Sequence, residues 1–387
     1  MKIGKNKASI IVYIACLLIA VLFILVGYNL NRTEVLEEET TEFYKARIES
    51  IENIETETFG SDYEFTAEMK TITFKAIVTS GPYENEIVEA TQIIDSYMVT
   101  VKEVDAGNRV IVTPISSEES TSTEWIFIEY DRTMTLLLVT LVFLLLILLI
   151  GRGKGVATII ALVFTVLSVF YVFIPSILKG RNIYVSTIIV GSFIIVISLI
   201  MMNGASKKTL CAIVGNLGGV VVAGLIAYMV NKSLNLSGFV DEDFIFLTYL
   251  DIENPIDLVA IIWSGIVIGS LGAVMDVAMS IASAMNELSV NMEEKTFSKM
   301  LKSGMNIGQD TIGTMTNTLI LAYVGSSLAT VLLLTAYNKD LLYLFSLEMI
   351  VVEVLQAMVG SMGIFFAVPA TALFSAYVFT KVNQKRS

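Results

Sequence analysis

Met134-Thr135-Leu136-Leu137-Leu138-Val139-Thr140-Leu141-Val142-Phe143-Leu144-Leu145-Leu146-Ile147-Leu148-Leu149-Ile150 holds no charge, no glycine and no proline. A run of this length and apolarity is what a bilayer-spanning helix needs, roughly 17–25 residues. It begins directly after Asp131-Arg132 and ends at Gly151-Arg152-Gly153-Lys154-Gly155, so polar residues bracket it on both sides. The rest of the chain agrees with a membrane solvent. Of its 387 residues 55% are hydrophobic and 16% charged, with a mean hydropathy of +0.74, too little polar surface for a soluble globule of this size.

Downstream, further runs of the same kind follow near 156–174, 184–202, 210–230, 256–284, 307–337 and 360–379. Upstream, Lys2, Lys5 and Lys7 precede an apolar run from Ala8 to Gly27, and no small-x-small cleavage pattern follows it. Such a start fits either a signal peptide or a signal anchor, and without the cleavage pattern residues 1–32 read as the anchor. The sum is an α-helical polytopic membrane protein of about eight transmembrane helices. Arg152, Lys154, Lys207, Lys208, Lys295, Lys299, Lys302, Lys381, Lys385 and Arg386 fall on one side and place both termini in the cytoplasm. The loop with Lys179 and Arg181 disagrees. Residues 341–359 are apolar but carry Glu348 and Glu353, and are read as an interfacial or re-entrant segment.

Between the anchor and residue 131 lies a stretch of different composition. Residues 33–130 carry 22 Asp and Glu against 6 Lys and Arg, a balance of −16 within a total of −12. Short alternating segments at Tyr44–Ile54, Phe65–Val78, Ile87–Ile94, Tyr97–Val104, Val110–Ile115 and Trp125–Tyr130 predict strands. Ile72, Phe74, Ala76 and Val78 recur with period two, and Gly81-Pro82 and Asp105-Ala106-Gly107-Asn108 punctuate the runs as turns. A small β-rich extracytoplasmic domain follows, an antiparallel barrel or sandwich, with Glu34, Glu37, Glu38 and Glu39 in a solvated linker.

Several chemistries are excluded. With no histidine, His-dependent zinc sites, Ser-His and Cys-His catalysis and histidine pH switching are out. Cys16 and Cys211 both fall in apolar runs, so the outer domain contains no disulfide. No Walker A sequence occurs, and Gly308-Gln309-Asp310 is not the GxGD motif of intramembrane aspartyl proteases. The acidic balance argues against nucleic acid, and neither enzyme activity, cofactor nor metal is expected.

Charged residues inside the membrane cost at least about 2.5 kcal/mol each, so each needs a partner or a purpose. Asp276 shares a helical face with Ser280, Ser283 and Glu287, and Asn306, Asp310, Thr314 and Asn317 line a face of the next helix. Two facing polar stripes are expected, a pathway for a proton or cation with carboxylates as ligands and amides and hydroxyls replacing hydration. Glu348 and Glu353 are further candidates. The plainer alternative places Asp276 and Asp310 at the inner interface, satisfied by water or by Lys299 and Lys302, and the two glutamates at the outer surface. Pairs at GxxxG spacing, Gly215 with Gly219, Gly265 with Gly269 and Gly304 with Gly308, read as close helix packing. The acidic outer loop with Asp241, Glu242, Asp243, Asp251 and Glu253 lacks EF-hand spacing and reads as solvated.

The longest distinctive strings are Gly272-Ala273-Val274-Met275-Asp276-Val277-Ala278-Met279-Ser280-Ile281-Ala282, Ser303-Gly304-Met305-Asn306-Ile307-Gly308-Gln309-Asp310, and Gly313-Thr314-Met315-Thr316-Asn317-Thr318-Leu319-Ile320-Leu321-Ala322-Tyr323. Softer ones are Glu129 to Arg132, Gly151 to Gly155, and Glu348 with Glu353 ahead of Gly360-Ser361-Met362-Gly363. In these the chain resembles the YibE/F family of bacterial multi-pass membrane proteins over nearly its whole length. The outer domain matches most loosely, where Gly81-Pro82-Tyr83-Glu84-Asn85 departs from a more glycine-rich turn. The resemblance implies a bacterial plasma-membrane permease with no assigned substrate. Two functions are therefore expected as alternatives: a secondary transporter or permease, or a membrane scaffold or sensor whose outer domain binds a partner. A homo-oligomer or a membrane partner fits either one.

Overall fold

The computed structural model describes residues 3–32, 42–59, 67–95, 102–115, 124–250, 254–292, 296–337 and 340–381. The expected linker glutamates, Tyr97, Asp251, Glu253, Lys2, Lys295, Lys385 and Arg386 lie outside these residues. The chain forms two compact units, Glu37–Leu146 and the pair of segments Met1–Leu36 and Ile147–Ser387.

The first unit is built on five strands: β1 (Tyr44–Phe59), β2 (Ala67–Val78), β3 (Ile87–Asp95), β4 (Arg109–Ile115) and β5 (Glu124–Tyr130). They close into a barrel in the order β1-β2-β3-β5-β4, the arrangement of an OB-type barrel. Ile72, Phe74, Ala76 and Val78 are all fully buried, as their alternation requires. One edge departs from the antiparallel expectation: β3 and β5 pair in parallel at Ala90–Trp125 and Thr91–Ile126. The segment expected as a strand at Tyr97–Val104 has no strand among its described residues, 102–104. There a side chain replaces the ladder, because buried Gln92 donates to the Lys102 carbonyl (3.1 Å) and accepts from the Val104 N–H (3.0 Å). Tyr44, Tyr83 and Trp125 stack edge to face at 5.2–5.8 Å around one end of the core.

The helices are α1 (Ile3–Asn31), α2 (Thr133–Ser168), α3 (Ile174–Leu178), α4 (Ile183–Asn203), α5 (Lys207–Ser233), α6 (Glu242–Thr248), α7 (Leu258–Asn291), α8 (Phe297–Ser326), α9 (Leu328–Tyr337), α10 (Leu341–Leu344) and α11 (Glu348–Lys381). Among the described residues six helical runs are long and apolar enough to cross a membrane, against about eight expected. Two differences account for this. The expected spans 134–150 and 156–174 belong to one 46-residue run, Thr133–Leu178, interrupted at Arg152 (φ 47°, ψ −128°). At that break Gly155 comes so near the Ile147 carbonyl that a Cβ would collide with it. Second, the polar face of α8 takes it out of the six.

The segment expected as interfacial or re-entrant at 341–359 is divided differently. Residues from Glu348 onward are continuous with the last apolar run in a single helix of 34 residues, about 50 Å long. Gly360, Gly363 and Pro369 do not interrupt it. Gly363 instead admits Val274 and Ala223 at 3.1–3.3 Å from where its Cβ would stand.

Capping side chains set the helix starts. Asn182, Ser206, Asp257 and Thr296 accept from the N–H groups of Val185, Thr209, Ala260 and Lys299. The core of this unit joins α5, α7 and α11. A Cβ on Gly219 would stand 2.6 Å from the Gly363 carbonyl, so the backbones of α5 and α11 touch. Trp263 of α7 donates its indole N–H to the Gly224 carbonyl of α5 at 2.7 Å.

Candidate functional site: the polar face of α7 and α8

Helix α7 buries Val274, Val277, Ala278, Ile281, Ala282 and Met285 in the core. Asp276, Ser280 and Glu287 fall on its other side and are exposed, with Ser283 half-buried. Helix α8 is anchored by Met300, Gly304 and Gly308, its three buried residues. Gly304 receives the Met285 sulfur 2.5 Å from a would-be Cβ, and Gly308 is pressed against Val368. Further along, Gly269 of α7 and Gly360 of α11 receive Tyr323. Helix α8 therefore lies alongside the middle of two apolar runs, by way of its small residues.

Its opposite side carries Asn306, Asp310, Thr314 and Asn317, and all four are exposed. The amphipathic division is a direct outcome of the sequence, since small residues four apart define one side and polar ones four apart the other. Helices α7 and α8 meet at Met285–Gly304 and Gly269–Tyr323, while Asp276 and Asp310 have neither hydrogen bond nor ion pair among the described residues. Lys299 and Lys302 do not bond to them.

The glutamates stand elsewhere. Glu348, first residue of α11, accepts from the Ser237 hydroxyl (2.6 Å) and the Gly238 N–H (2.8 Å), clamping the loop that follows α5. Glu353 is half-buried on the same helix. Among the described residues, side-chain polar atoms of Asn31, Asn216, Asn231, Thr316 and Tyr323 are buried without a hydrogen-bond partner, and none of these was a candidate from the sequence. Asn216 stands between Gly215 and Leu217 in an apolar run, and an uncharged amide there was the available signal.

A model of the family described as YibE/F-like protein matches residues 139–381, more than half of the chain. The chain belongs to the YibE/F-like family. Its apolar helices and this membership make it a membrane protein. The YibE/F-like match begins inside α2, so the barrel strands lie outside it, a narrower extent than the whole-chain resemblance. All three long strings, and with them Asp276, Asp310 and Asn317, lie within the residues matched to the YibE/F-like model. No curated protein and no solved structure matches the chain.

Proposed function

We propose that the chain is a non-enzymatic permease of the bacterial plasma membrane, with both termini cytoplasmic and the barrel outside. The observation that carries this reading is the exposure of Asn306, Asp310, Thr314 and Asn317 on a helix packed between two apolar runs. At membrane depth such a face is costly against lipid, and it is stable where it lines water or meets another polar face. On this reading eight segments cross the membrane, α2 supplying two and α8 with α9 another. Asp276 and Asp310 bind a proton or cation, Ser280 and the α8 amides and hydroxyls stand in for its hydration, and a second copy or a membrane partner closes the open side. Glu353 faces the outer end, and Glu348 holds the outer loop.

Proteoliposome flux of protons, cations and small solutes tests the reading. Asp276→Asn and Asp310→Asn, both at exposed positions, are expected to lower flux by roughly tenfold or more while leaving the melting temperature in place. Unchanged flux in both variants overturns it. A scaffold or sensor is the second reading, favoured by the separateness of the acidic barrel unit. It expects a cross-linked partner that is lost when residues 33–130 are deleted.

A further inference from the structure

The acidic barrel concentrates its few cations at one place. Of the six Lys and Arg in residues 33–130, Lys45, Arg47 and Arg109 line a single cavity of about 470 Å³. The other three are engaged with neighbours: Lys70 with Glu103 at 2.6 Å, Lys75 with Glu52 at 3.2 Å, and Lys102 over the Tyr130 ring at 5.8 Å.

Arg47 and Arg109 are directly opposite one another in the β1–β4 ladder. Like charges at that position repel and weaken the pair of strands. Neither guanidinium has an ion pair among the described residues. The nearby carboxylate does not relieve them, because Asp131 is 3.6 Å from the Lys45 ammonium and accepts from the Thr133 N–H at 3.0 Å. Two unpaired guanidiniums, beside a Lys45 ammonium that Asp131 already pairs, make an anion site, and guanidinium favours phosphate through paired N–H donors.

Besides Thr79, Asp131 and Thr133, the rest of the lining is apolar. Met134 and Leu137, on the first turns of α2, are 61% and 58% exposed and line the same cavity. Helix α2 is where the longest apolar run starts, and the most apolar window of that run is wholly unburied within the chain. Resting on the proposed reading of α2 as a membrane span, the cations stand beside the first turns of a helix that enters the bilayer there, next to the hydrocarbon-compatible Met134 and Leu137. A free inorganic anion would leave Met134 and Leu137 unused. A zwitterionic headgroup would bring its own cation against three others.

We propose that this cavity binds an anionic phospholipid, its phosphate held by Arg47, Arg109 and Lys45 and its acyl chains lying along Met134 and Leu137. The bound lipid offsets the repulsion between the two arginines and fixes the barrel to the bilayer surface.

The test counts lipid on the full chain by mass spectrometry after release from mixed phosphatidylglycerol and phosphatidylcholine micelles. The double variant Arg47→Gln/Arg109→Gln is compared with Lys70→Gln/Lys75→Gln, which changes net charge equally. The first is expected to retain roughly tenfold less phosphatidylglycerol, the second as much as the parent, and phosphatidylcholine is unchanged in both. The arginine variant relieves a repulsion, so its barrel is expected to melt no lower than the parent in phosphatidylcholine alone. Equal loss in both doubles, or no loss in either, overturns the proposal. Displacement of the lipid by inorganic phosphate alone, with full occupancy by that ion, assigns the site to free phosphate and overturns it too.

Discussion

The phenol oxygen of Tyr323 lies against the bare backbone of Gly269, where a Cβ would stand 2.5 Å away. The same hydroxyl is buried without a hydrogen-bond partner among the described residues. Gly269→Ala is therefore expected to destabilise the helical unit by about 1–3 kcal/mol through overpacking. Tyr323→Phe alone should be neutral or stabilising, because it removes an unsatisfied polar atom. Combined, the two should recover most of the loss. A thiol-reactive dye that reports exposure of buried Cys211 on heating in detergent reads all three variants.

The carboxylate of Glu348 holds the loop after α5 through two hydrogen bonds, to Ser237 and Gly238. Bonds to a charged acceptor contribute about 1.5–3 kcal/mol. Glu348→Ala is expected to speed amide exchange at Gly238 by roughly tenfold or more, with α5 itself unaffected. Exchange at the parent rate would show that the loop is held by other means.

Gly81 turns the chain between β2 and β3 with φ at 81°, and a side chain there would strike the Tyr44 ring. Both effects act against substitution. Gly81→Ala should lower barrel stability by about 1–3 kcal/mol, read from Trp125 fluorescence in a Trp263→Phe background.

The Thr133 hydroxyl foremost, then its backbone N–H and the Lys45 ammonium, holds the Asp131 carboxyl below the ordinary carboxylate range. Its folded value thus lies under the unfolded one of about 3.9. The stabilisation is complete above about pH 4 and is lost as pH falls through the depressed folded value. Barrel melting should be level from neutral pH to about pH 5 and decline below about pH 4. Asp131→Asn should remove part of that decline, which thermal scans at stepped pH will show.

Local patterns were readable where one residue's neighbours lie a few positions away. The burial of Ile72, Phe74, Ala76 and Val78 follows from period two, and the polar side of α8 follows from 3.6-residue spacing. What escaped depends on distant pairs. The parallel edge Ala90–Trp125 joins segments 35 positions apart, and Glu348 finds Gly238 across 110. Nothing periodic marks either. Gly360 and Pro369 carry the signal of a helix breaker, yet α11 runs through both, and Gly360 with Gly363 gives contact points where Tyr323, Val274 and Ala223 approach. Spacing alone puts the residues of the α7 and α8 stripes on common helix faces, but which way each face turns is set by the glycines beneath α8.

Only Asp131 and Arg132 separate the last residue of β5 from the first of α2, and both are tied down. The Asp131 N–H donates to the Arg109 carbonyl at 2.9 Å, and Arg132 bridges to Glu129 at 3.2 Å. A joint this short has no slack. Within the barrel unit, which runs to Leu146, strand and helix entry behave as a crank and the head of its shaft, and a spin label on β5 is expected to move with one at Met134.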